Sequence, residues 1–158
     1  MKEMTWYTTT MLVLGADHGG FALKKCLKRV LLKSGHAVYD VGPDKIRPTD
    51  DYPLIAAEVA KRVRRTTGAR GLLLCGSGVG MSVVANKFSG IRAVNAWDVK
   101  VAIRARQEED ANILVLPAHF VSRVNAEKIM RAWLETPFRR IPRYRRRLGE
   151  IARIENTN

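Results

Sequence analysis

Residues 72–87 read LLLCGSGVGMSVVANK. A leucine run ends in Cys75, glycines follow at 76, 78 and 80, and an apolar segment with helical character begins. ARGLLLC (69–75) reads as a strand, and its apolar run from Gly71 to Cys75 is as expected of a central parallel strand buried on both faces. The glycines then mark a tight loop, and the segment through Gly90 reads as loop followed by helix. Strand, glycine loop and helix in that order predict one β-α unit of a parallel sheet.

Working outward, the same unit recurs. Residues 11–16 (MLVLGA) read as a first strand ending at Asp17-His18-Gly19-Gly20. Leu23, Cys26, Leu27, Val30 and Leu31 then fall on one helical stripe, with Lys24, Lys25, Lys28 and Arg29 expected on the polar side and Gly35 at the end. Residues 36–42 read as a second strand and PDKIRPTDDYP as a loop. A helix over about 53–66 is expected to bury Ala56, Val59, Ala60 and Val63. Beyond Gly90, IRAVNA is a fourth strand, 98–109 a charged helix, NILVLP a fifth strand and 122–135 a helix burying Ala126, Ile129, Met130 and Trp133. TPFRRIP interrupts the chain, and a last basic helix starts near Arg143 and runs to about 154. The alternation predicts an α/β fold: a Rossmann-like three-layer α/β/α sandwich with a five-stranded parallel sheet and a C-terminal basic helix. One domain over 1–158 is expected, with 1–10 as an N-terminal extension.

The composition narrows the chemistry. No apolar run approaches the roughly 20 residues that span a bilayer, and the opening residues lack the order of a signal peptide, so a cytoplasmic protein is expected. Cys26 and Cys75 form no CxxC pair, and His18, His36 and His119 show no metal-ligand spacing; no metal and no cofactor are expected. The net charge is +13, concentrated at the C-terminus, where Arg139–Asn158 holds seven arginines against Glu150 and Glu155. These arginines lack interleaved stacking aromatics apart from Tyr144, which argues against a nucleic-acid partner.

In parallel sheets ligands sit at the carboxyl ends of the strands. Strand one delivers Asp17 and His18 there, strand three delivers Cys75 and the loop Gly76-Ser77-Gly78-Val79-Gly80, and the loop after strand two supplies Asp51 and Tyr52. GSGVG is neither a full dinucleotide fingerprint nor a P-loop. It reads better as a nest of N–H groups facing an anion, with a helix dipole behind. A free thiol titrates near about 8.5, and beside a helix N-terminus its pKa is expected to fall. A thiolate next to converging amides can attack a carbonyl carbon or remove a proton beside a carbonyl. In the second case the amides hold the enediolate oxygen, each donor contributing about 3 kcal/mol. The competing reading is a small buried residue that ends a strand.

GADHGGFALK, DDYP, LCGSGVGMSVVANK, GIRAV, DANILVL and WLETPF resemble the type B ribose-5-phosphate isomerases and the related galactose-6-phosphate isomerase subunits, from about Leu12 to Ile154. The resemblance implies metal-independent aldose–ketose isomerisation of a phosphorylated sugar, with Cys75 as the base that moves a proton between C1 and C2. It implies that Ser77 contacts the reacting oxygens, that Gly76, Ser77, Gly78, Val79 and Gly80 form the anion hole, and that Asp17, His18 and Tyr52 bind substrate. Arg143 and Arg147 match two arginines that grip phosphate, and lie at i, i+4 with Tyr144, Leu148 and Ile151 turned inward. The resemblance further implies a homodimer or homotetramer with sites at the subunit interface.

The chain departs from the family where His-Asn-Asp-x-Asn is usual and Glu108-Glu109-Asp110-Ala111-Asn112 stands instead. Glu108 then occupies the place of the ring-opening histidine and Glu109 that of a substrate-binding asparagine. A glutamate serves as acid or base if burial raises its pKa; the plain alternative is a charged helix end. Pentose, hexose and tetrose phosphates all stay open as substrates, as does a catalytically weak or inactive paralogue that only binds them. Cys26 is expected in the core, His36 on the surface, His119 in a loop and Asn86-Lys87 in a structural role.

Overall fold

The computed structural model describes residues 10–157. The elements are β1 (Leu12–Ala16), α1 (Phe21–Lys33), β2 (Val38–Asp40), α2 (Tyr52–Arg65), β3 (Arg70–Cys75), α3 (Val79–Ala85), β4 (Ala93–Asn95), α4 (Val99–Glu109), β5 (Ile113–Pro117), α5 (Arg123–Glu135) and α6 (Pro142–Thr157). The five strands form one parallel sheet in the order β2-β1-β3-β5-β4. The predicted α/β/α architecture is what the chain adopts. The expected extension at residues 1–9 lies outside the described residues. Among those described, no helix is long and apolar enough to cross a membrane.

Alternation along the strands builds two cores. Leu12, Leu14, Leu72, Leu74, Leu114 and Leu116 face α1, α4 and α5, where Leu27, Ala102, Ile129 and Trp133 meet them. Val13, Leu73, Ile113 and Val115 face α2 and α3, against Val59, Val63, Met81 and Ala85. Each leucine so buried contributes about 2 kcal/mol. Register is held sterically as well. A Cβ at Gly71 would lie 2.8 Å from Ile113 and 3.0 Å from Val59, so a slip that put Leu72 there would not fit. The helix stripes predicted for α2 and α5 are buried as expected.

Three sequence expectations need correction. Lys24 is not on the polar side of α1: it is 2% exposed, and its Nζ donates to Asp40 Oδ1 at 2.8 Å and to the Pro43 carbonyl at 3.1 Å. Asp40 ends β2 close enough to compensate the buried ammonium, and periodicity within α1 carries no trace of that partner. Cys26 is half-buried and stands outside both cores. Predicted strand ends at 36–42 and 91–96 shrink to Val38–Asp40 and Ala93–Asn95, because only those residues find a parallel neighbour.

β1 and β3 are neighbours, yet β1 continues to β2 on one side while β3 leads to β4 and β5 on the other. The crevice between the loops after β1 and β3 is therefore the sheet's topological switch point, where ligands bind in such folds.

Candidate functional site

The end of β3 and its loop are stitched to the turns that follow both neighbouring strands, β1 and β5. Asp17 N–H donates to the Leu74 carbonyl at 3.3 Å, and Ala118 and His119 N–H groups donate to the Cys75 and Gly76 carbonyls at 2.8 and 3.0 Å. A Cβ on Gly19 would lie 2.8 Å from the Gly76 nitrogen, so the β1 turn rests directly on the glycine loop. Asp17 is buried and its Oδ1 accepts the Gly20 N–H at 3.1 Å.

Cys75 is buried at the end of β3, and its Sγ accepts the Gly78 N–H at 3.0 Å. Gly78 makes this possible with φ of 76°, a left-handed conformation that a side chain resists. Its bare Cα also faces the Asn95 carboxamide, which would overlap any Cβ there. Asn95 Nδ2 in turn donates to the Ser77 carbonyl at 3.0 Å. Ser77 is exposed, and its Oγ accepts the Val79 N–H at 3.3 Å. The other glycines make room for rings: a Cβ on Gly76 would lie 2.8 Å from the His119 imidazole, and one on Gly80 2.6 Å from the Tyr52 ring. Val79 stands exposed at the loop's rim.

Burial pushes the Cys75 thiol above its ordinary pKa, and the nearby Asp17 carboxylate adds to the rise. The Gly78, Met81 and Ser77 amides pull the other way and are outweighed. The expected lowering is thus reversed: a sulfur packed beneath two loops loses more solvation than the start of a seven-residue helix restores. Two loop amides, those of Gly78 and Val79, point at the loop's own sulfur and hydroxyl.

Asp17, His18, Tyr52, Cys75, Gly76, Ser77, Gly78, Val79 and Gly80 therefore come together at one edge. The remaining sequence-predicted residues do not join them within a chain. Glu108 and Glu109 close α4, just before β5 starts. The Asn112 carbonyl there accepts from Gly71, at the amino end of β3, whereas Cys75 pairs with Pro117 at the other end. Five strand residues place these edges roughly 15 Å apart. Glu108 is partly exposed, 4.0 Å from Arg104. Arg143 and Arg147 are exposed on α6, which packs on α4; Arg143 Nη2 reaches Tyr144 Oη at 3.3 Å. Tyr144 is buried as expected, while Leu148 and Ile151 are only half-buried.

Two residues at the carboxyl edge escaped the sequence reading: Asn95, which braces Ser77 and Gly78, and Asp50, which accepts from His18. His119, expected in a loop, stands in the turn after β5 and lies over Gly76. Each follows or ends a strand at the ligand-binding edge, or precedes a helix there, which was the available signal. Among the described residues, no group of three or more His, Cys, Asp or Glu side chains is arranged to hold a metal ion.

The family described as Ribose/Galactose Isomerase matches residues 12–151. A probable ribose-5-phosphate isomerase B from Mycoplasma pneumoniae is 37% identical over 142 residues, covering 90% of this chain and 93% of that protein. A D-erythrulose-4-phosphate isomerase from Pectobacterium atrosepticum is 35% identical over 127 residues, covering 80% and 84%. The crystal structure of ribose-5-phosphate isomerase B from Mycoplasma genitalium with bound ribulose 5-phosphate superposes with a TM-score of 0.90 at 34% identity, covering 95% of this chain and 99% of that one.

Proposed function

This chain belongs to the ribose/galactose isomerase family, and on that premise we propose that it interconverts ribose 5-phosphate and ribulose 5-phosphate with Cys75 as the base. It is an isomerase of sugar phosphates. The observation that supports the finer reading is the Cys75 sulfur, held by the Gly78 amide beside Asp17 and Ser77 at the sheet's switch point.

In the proposed reaction the Cys75 thiolate removes the proton from C2 of the open-chain aldose. The electron pair shifts to leave an enediolate with its charge on O1, which amides of the Gly76–Gly80 loop other than those of Gly78 and Val79 stabilise. A proton passes from O2 to O1, with Ser77 and Asp17 at the oxygens, and the thiol returns its proton to C1. His18 and Tyr52 bind the rest of the sugar.

The phosphate-gripping pair Arg143 and Arg147, and Glu108 and Glu109, are supplied by a second copy of the chain. Their distance from Cys75 within one chain supports this, as do exposed Val79, Val83, Trp97, Phe120 and Val124 around the carboxyl edge, an apolar rim suited to a subunit contact. Glu108 acts as the acid or base that opens the sugar ring.

A second reading, a weak or inactive paralogue that binds sugar phosphates, is favoured by the burial that holds the thiol protonated. One experiment separates them. Ribose 5-phosphate, erythrose 4-phosphate and a hexose 6-phosphate are each incubated in deuterated water with wild type and Cys75→Ala. The isomerase reading expects ketose formation and deuterium at the exchanging carbon with wild type alone. Binding without label would leave the second reading, and full turnover by Cys75→Ala would remove Cys75 as base.

A further inference from the structure

The turn before α2 carries a carboxylate that the proposed chemistry does not use. Asp50 Oδ1 accepts two hydrogen bonds from His18, from its backbone N–H at 3.2 Å and from its ring Nδ1 at 3.0 Å. The Asp50 side chain is 11% exposed, whereas the His18 ring is 50% exposed. The other Asp50 oxygen, Oδ2, is buried and has no hydrogen-bond partner among the described residues.

An ionised carboxylate only accepts, so this bond requires a proton on Nδ1 of His18. Free histidine prefers no such arrangement; the bond made by one ring nitrogen settles what the other can do. Here Nε2, on a ring that is half exposed, has no hydrogen-bond partner among the described residues. The ring belongs to the β1 turn, which rests on Gly76 in the loop that follows Cys75. Asp50 is also two residues from Tyr52, whose ring covers Gly80. One carboxylate thus ties the β1 side of the site to the α2 side.

A buried oxygen without a partner is a destabilising feature. A residue serving only to staple the loop would be relieved of it by substitution, which points to a role in the site.

We propose that Asp50 is a positioning residue: it holds His18 in the Nδ1–H form and turns Nε2 outward to meet a polar group of the substrate. The proposal deepens the isomerase reading and rests on it for the substrate, but not for the state of the ring.

The test uses the full chain labelled with 15N-histidine, with His18→Gln assigning the His18 signals. Two-bond 1H–15N correlation of the neutral ring is expected to show Nδ1 protonated and Nε2 bare in wild type and in Asp50→Asn, whose carboxamide oxygen still accepts. Asp50→Ala is expected to shift toward the Nε2–H form of free histidine. With ribose 5-phosphate, Asp50→Ala should raise KM about tenfold with kcat changed less than about threefold, and Asp50→Asn should recover most of that loss. The proposal is overturned if wild-type His18 carries its proton on Nε2, if Asp50→Ala leaves the tautomer unchanged, or if alanine and asparagine lose activity equally. Should Asp50→Ala not fold, the wild-type and Asp50→Asn spectra still decide. Absence of wild-type turnover would sink the isomerase reading, while the spectra, which need no substrate, would judge Asp50 separately.

Discussion

The Gly78 N–H donates to the Cys75 sulfur across 3.0 Å, three residues further along the chain. This contact is the hinge of the site. It orients the thiol, supplies the strongest local pull toward thiolate, and works against a burial that favours the neutral form. In the proposed mechanism, proton removal by a thiol held this way makes the rate a direct report of the sulfur's ionisation.

The activity of the free enzyme should therefore climb with pH. Because burial raises the Cys75 value, kcat/KM is expected to rise about tenfold per unit below it and to keep rising past the ordinary thiol value near 8.5. The sign for stability is opposite. The folded thiol binds its proton more tightly than the unfolded one, so stability falls as pH passes the unfolded value, until the folded thiol ionises too. Asp17→Asn removes a carboxylate that favours the neutral thiol and should speed alkylation of Cys75 by iodoacetamide at pH 7. Slower alkylation in that variant, or a flat activity profile from pH 6 to 9, would contradict this account.

Gly78 is irreplaceable for two separable reasons. Gly78→Ala meets a left-handed backbone and the Asn95 carboxamide together, and is expected to cost about 2–4 kcal/mol in urea unfolding. Asn95→Ala removes the overlap along with the Asn95–Ser77 hydrogen bond, so measured against Asn95→Ala alone, Gly78→Ala should cost only about 1–2 kcal/mol. Strict additivity of the two substitutions would show that the overlap contributes nothing.

The proposed assembly of each site from two chains predicts complementation. Cys75→Ala and Arg147→Ala should each be nearly inactive, yet a mixture refolded together should regain about a quarter of wild-type activity, since half the dimers are mixed and each holds one intact site. If the mixture stays as inactive as its parents, both groups belong to the same chain's site.

Lys24 and Asp40 allow a stability test away from the chemistry. Burial alone would raise the Asp40 carboxyl, but hydrogen bonds from Lys24 and Lys28 and from the Gly42 amide outweigh it and hold it below the ordinary range. This stability is present above the ordinary carboxylate value near 4 and is lost as pH falls through the lower folded value. Asp40→Asn strands the Lys24 charge and should cost about 3 kcal/mol at pH 7. It should also lose less stability than wild type between pH 5 and pH 2. Thermal unfolding across that range checks both, and an equal acid loss in the two proteins would remove Asp40 from the explanation.

Much of this protein is determined by its residue order. The leucines of β3 and β5 require a strand buried on both faces, the stripes of α2 and α5 require helices laid on those faces, and their alternation leaves a parallel sheet whose carboxyl edge must hold Asp17 and Cys75. Such features are local: they follow from the periods of a strand and a helix and from what glycine permits. What tertiary structure alone decided is non-local. Lys24 is compensated by Asp40, sixteen residues away, and His18 is held by Asp50, thirty-two away. The sulfur is pushed toward its neutral form by the loops packed over it, and Glu108 is carried to the opposite edge by the path of α4. Solvation and charge depend on what lies across a few ångströms of space, and periodicity along a chain carries no record of that distance.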